Sequence, residues 1–98
     1  MMSNNYEIFE KRNLEKEVAG LLTTIGEKAF LLRAHDKEQG VHEVRVVMPW
    51  GTGYKLCDHG RIVDAQVHFE RAYNEITVGD YLIHLTGPAT AELLPPKE

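Results

Sequence analysis

The chain is poor in the residues that staple small folds. A single cysteine, Cys57, stands among 98 residues, so no intramolecular disulfide can form. A free thiol is easiest to keep in a reducing compartment, which gives the expectation of a cytoplasmic protein held together by packing. Long apolar runs are missing as well: none approaches the roughly 18–20 residues that a membrane span needs. The opening MMSNNYEIFEKRN has neither the apolar stretch nor the small-residue site of a secretory signal, so neither export nor insertion is expected. Positive charge is in deficit, with 11 Lys and Arg against 15 Asp and Glu, a net charge of −4 and a pI near 5.7. Broad polyanion binding rests on cations that neutralise phosphates, so nucleic acid is a disfavoured partner. Repeats and Pro- or Ser-rich linkers are also lacking, and one domain over 1–98, frayed at 1–5 and 95–98, is the expectation.

What is present suits an ordinary folded domain, with 43% hydrophobic and 27% charged residues. Leu14, Val18, Leu21, Leu22 and Ile25 recur with helical spacing, and Glu10, Lys11, Glu15, Lys16 and Glu17 fill the other positions. That pattern predicts an amphipathic N-terminal helix, capped at Ser3 or Asn4 and stopped at Gly26. Gly20, Thr23 and Thr24 are poor helix formers and tolerable in a strand.

From residue 28 the period becomes two. Phe30, Leu32 and Ala34 alternate with Leu31, Arg33 and His35, and Val44, Val46 and Met48 alternate with Glu43, Arg45 and Val47. The polar stretch 36–40 ending in Gly40 reads as the hairpin loop between them. Val63, Ala65, Val67 and Phe69 alternate with Asp64, Gln66, His68 and Glu70, which predicts a central strand over 61–73 burying Val63, Val67 and Phe69. Short strands are expected at 54–57 and 81–86, with an edge strand at 91–94. The fold class that follows is α+β: an N-terminal helix packed on a five- or six-stranded antiparallel meander, able to curl into a partial β-barrel.

Chemistry is harder to place. Five histidines, His35, His42, His59, His68 and His84, show no His-x-His or His-Glu-x-x-His spacing. Cys57-Asp58-His59 is a close pair without a further ligand nearby in sequence, so no metal and no cofactor are expected. If a metal were bound, His68 and His84 are the first choice, since both lie on polar faces of expected strands. The only serine, Ser3, has no Gly-x-Ser-x-Gly context, and Cys57 lacks an oxyanion element, so the expectation is a protein that is not an enzyme. Trp50-Gly-Thr-Gly-Tyr-Lys55 has Gly-x-Gly but not the phosphate-loop spacing. It does gather Trp50 and Tyr54 near Arg45, Lys55 and Arg61, residue types enriched at protein interfaces. Those five residues are the candidate interface, with Trp50 as an exposed anchor. The same mixture could stack single-stranded bases.

Ile-Thr-Val-Gly-Asp-Tyr-Leu-Ile at 76–83 is a glycine turn entering a strand, followed by Gly87 and Leu-Leu-Pro-Pro-Lys-Glu at the end. This last quarter, residues 76–98, resembles small phage-encoded proteins with a Gly-Asp-aromatic strand. The resemblance implies a phage or mobile-element setting and transfers no site residue. The resulting expectation is a non-enzymatic protein that acts on another protein or on itself, as an accessory or inhibitor. The alternatives are a β-barrel-like module for a small ligand or single-stranded nucleic acid, and a metal-dependent enzyme using the histidines.

Overall fold

The computed structural model of the chain describes residues 5–14, 29–77 and 81–95. Strands β2 (Ala29–Asp36) and β3 (Val41–Val47) form the hairpin implied by the alternation. Asp36 closes it: its Oδ1 accepts from the backbone N–H of Glu38 at 3.1 Å and of Gln39 at 3.2 Å. Gly40, at φ 71°, donates its N–H to the Asp36 carbonyl at 2.8 Å, a conformation costly for any residue with a Cβ. A second turn, with Gly51 at φ 96°, leads to β4 (Gly53–His59). Strand β1 (Tyr6–Leu14) pairs along the other edge of β2, giving one antiparallel sheet in the order β1-β2-β3-β4.

The N-terminal helix is therefore corrected for residues 6–14, which lie in β1. Tyr6, Ile8 and Phe9 are aromatic and β-branched residues that suit a pleated surface, and their backbone satisfies the open edge of β2. Val18, Leu21, Leu22 and Ile25, the rest of the expected stripe, lie outside the described residues.

The central strand over 61–73 is also corrected, because this segment belongs to helix α1 (Ile62–Thr77). Two periods coexist here. Val63, Ala65, Val67 and Phe69 alternate by two, yet the buried positions Ala65, Phe69, Ala72 and Ile76 are spaced four, three and four. Sixteen residues without Gly or Pro allow an unbroken helix, and the apolar stripe of Ala65, Phe69, Ala72 and Ile76 gives that helix a face to bury against the sheet. Phe69 is buried as expected, whereas Val63 and Val67 are 49% and 57% exposed.

Helix α1 covers one face of the sheet, where Phe69, Ala72 and Ile76 join Leu14, Leu31, Val44, Val46 and Tyr54 in the core. Arg12 of β1 clamps it, donating from its two terminal nitrogens to Glu70 at 3.0 and 2.8 Å and lying 4.7 Å from the Tyr73 ring centre. Strands β5 (Leu82–Leu85) and β6 (Ala91–Leu94) form a separate two-stranded sheet rather than extending a five- or six-stranded meander. That hairpin docks on β4 through the Lys55 N–H, which donates to the Ala89 carbonyl at 2.8 Å, and it adds Ile83 and Ala91 to the core. Among the described residues no helix is long and apolar enough to cross a membrane.

Candidate metal centre

The end of β4 carries a phase change that matters for its side chains. Tyr54 opposes Val46, Lys55 opposes Arg45, and then Cys57, not Leu56, opposes Val44. Leu56 is the extra residue of a β-bulge. Without it Tyr54 and Cys57, three apart, would point to opposite faces; with it both share the face of Val44 and Val46, under the helix. His59, two residues on, lies on that face too and opposes His42.

His42 in turn opposes His35 on β2, and the two imidazoles stack at 4.0 Å between centres with planes 4° apart. Phe9 of β1 packs on both, at 6.1 Å from His35 and 5.8 Å from His42. Helix α1 completes the row. It begins just after Gly60, and its His68 brings Nδ1 within 3.1 Å of His59 Nε2. Four of the five histidines thus run side by side across three strands and one helix.

At the end of this row, one ligand atom each from Cys57, His59 and His68 lies within 4.8 Å of the other two. Two nitrogens bound to one tetrahedral zinc at about 2.0–2.1 Å are spaced by about 3.3 Å. The 3.1 Å between His59 and His68 is close to that spacing. In the metal-free chain the same contact is a hydrogen bond between one protonated and one bare ring nitrogen. Beside the three residues opens a cavity of about 260 Å³, lined by His59, Asp64, Val67, His68 and Arg71. The last four are spaced three, one and three on α1 and so share one helix face.

Burial, then the nearby charges of His59 and Arg71, lowers the pKa of His68 and keeps its ring in the neutral, metal-competent form near pH 7. Burial and then Asp58 push the Cys57 thiol up to about 11. As a free group it is therefore protonated, and a metal would have to displace that proton, as bound metals do. A buried, protonated thiol of this kind is inert as a nucleophile.

Of the expected interface residues, Trp50 sits against Tyr54, Arg45 lies opposite Lys55 in the sheet, and Arg61 stands at the start of α1. Trp50 is 49% exposed, and its Nε1 donates to the Tyr54 hydroxyl at 3.1 Å; Tyr54 itself is buried. Arg45 is tied to Glu43 at 2.8 Å and to the Gly53 carbonyl at 3.1 Å. Lys55 pairs with Asp58 at 2.8 Å, and Arg61 pairs with Asp64 at 3.3 Å at the start of α1. His84 is exposed on β5 opposite Glu92 and takes no part in the cluster, since a helical His68 cannot be its cross-strand neighbour. Sequence reasoning singled out Cys57 and His59 as a close pair and His68 as a metal candidate, but it set His68 beside His84 rather than beside these two. The available signal was Gly60 followed by apolar Ala65, Phe69, Ala72 and Ile76 at helical spacing, which brings a histidine nine residues after His59 back over the strand end.

No family model matches the chain, and neither the curated proteins nor the solved structures provide a match.

Proposed function

We propose that this protein is a metal-binding protein, holding one divalent transition-metal ion of the zinc class on Cys57, His59 and His68. The observation that supports the reading most is the convergence of three ligand atoms, within 4.8 Å of one another, from two separate elements. One thiolate with two imidazoles favours zinc and its neighbours over magnesium or calcium, which prefer oxygen. Three protein ligands beside a cavity leave a fourth position for an exogenous ligand. The test is the metal content of protein prepared without a histidine tag, loaded with zinc and desalted. About one zinc per chain is expected, falling severalfold in Cys57→Ser and His68→Ala that retain the wild-type circular dichroism. Wild-type protein that retains no more zinc than these variants would overturn the reading.

Action by contact with a second protein molecule, without catalysis, is a compatible second reading that Trp50 favours. Its ring is half exposed while its N–H is already satisfied by Tyr54, so a partner could bury the ring without stranding a donor. If the partner is a second copy, Trp50→Ala should abolish concentration-dependent association in sedimentation with little change in melting temperature. Unchanged association in that variant would exclude Trp50 as the anchor.

A further inference from the structure

We infer that the cavity beside Cys57, His59 and His68 receives a small carboxylate with a short apolar tail, one oxygen completing the metal's coordination and the other accepting from Arg71. This inference rests on the metal reading above and names the ligand of that site.

The argument begins with charge. A divalent ion with one thiolate would leave one unit of positive charge beside His59 and His68, the two ligands that line the cavity. Asp64 in the wall is compensated by Arg61 at 3.3 Å. Arg71, in the same wall, has no ion-pair partner among the described residues. With the ion bound, its residual charge and Arg71 outweigh Glu75, whose charge also reaches His68, so the cavity would carry an excess of positive charge inside an acidic chain of net charge −4, and an anion is the ligand that relieves it. Arg71 also lies one helical turn after Val67 and His68, so it stands over the same opening.

Size and shape narrow the class. A volume of about 260 Å³ is below the range of roughly 300–1,000 Å³ that takes drug-sized ligands, so the anion is small. The Arg71 guanidinium can donate to one oxygen of a carboxylate, which leaves the second oxygen to reach the metal. Val67, exposed at the rim, offers an apolar wall for a few methylene groups. The coordination step is a ligand exchange: a metal-bound water leaves and a carboxylate oxygen takes its place, with no change in oxidation state.

Cobalt-substituted protein provides the test, because its visible bands respond to the fourth ligand while its thiolate charge-transfer band reports that Cys57 is bound. Titration with butyrate should change the visible bands to saturation. Butyrate should bind at least threefold more tightly than acetate, a fully buried methylene being worth about fourfold. Arg71→Met should weaken butyrate about tenfold, the usual scale for a charge-assisted hydrogen bond, while its thiolate band stays intact. A cobalt spectrum that forms but ignores butyrate would overturn the inference and leave the metal site standing. Tenfold tighter binding of inorganic phosphate would overturn the choice of a carboxylate. Absence of the thiolate band would overturn the metal reading and the inference with it.

Discussion

Two buried side chains decide how this face responds to mutation and to pH. Arg33 is 9% exposed, and its Nε and one terminal nitrogen find no hydrogen-bond partner among the described residues, while Glu10 lies 3.5 Å from the other. Desolvating a guanidinium costs several kcal/mol, which one loose ion pair does not recover. Arg33→Met, keeping the packing under Phe9, is therefore expected to leave stability unchanged or raise it by about 1–2 kcal/mol. A loss of more than about 2 kcal/mol in urea melts would show that the guanidinium is better satisfied than its geometry implies. His42 is the second case. Burial, then the charges of His35 and Arg33, lowers its pKa, as burial and neighbouring charges do for His68. A group with a depressed pKa binds fewer protons folded than unfolded, so stability rises with pH between the two values and is lost as pH falls through the folded one. The melting temperature should hold above about pH 7 and fall as the pH drops below about 6.5, with a shallower fall in His42→Leu. A melting temperature that rises on acidification through this window would contradict the assignment.

Helix α1 is the element on which the site depends, since it alone carries His68, Asp64 and Arg71 to the end of β4. Its helical state separates residues that a strand would treat alike. Phe69→Ala should cost about 3–5 kcal/mol, because the ring is fully buried among Leu14, Val44 and Ile76. Val67→Ala should stay within about 0.5 kcal/mol. Similar losses at both positions would restore the alternating pattern. The contrast also explains what could be read beforehand. The β2-β3 hairpin was legible because Asp36 and Gly40 bracket a polar turn between two alternating runs. The β5-β6 hairpin was legible because Gly87-Pro88 interrupts a similar pattern. α1 was not, because its first half satisfies both periods and only the later spacing of Ala72 and Ile76 discriminates. The site followed the helix: Cys57 and His59 are two residues apart in sequence, but their union with His68 exists only once the chain turns at Gly60 and returns as a helix. Nothing in residue spacing announces the bulge at Leu56, which turns Cys57 toward that union.

For the whole molecule, the metal reading links folding to ligand. The three ligands come from the last strand of the main sheet and the helix that covers it, so an ion would tie α1 to β4 in the folded state alone. Zinc at a hundredfold excess over its dissociation constant should stabilise the fold by about 2.7 kcal/mol, visible as a concentration-dependent rise in melting temperature that Cys57→Ser lacks. The most direct measurement is X-ray absorption at the zinc edge of the loaded protein. One sulfur at about 2.3 Å with two imidazole nitrogens at about 2.0–2.1 Å, and one lighter ligand, is the first shell that Cys57, His59 and His68 would create. A shell of nitrogen and oxygen alone would contradict the account.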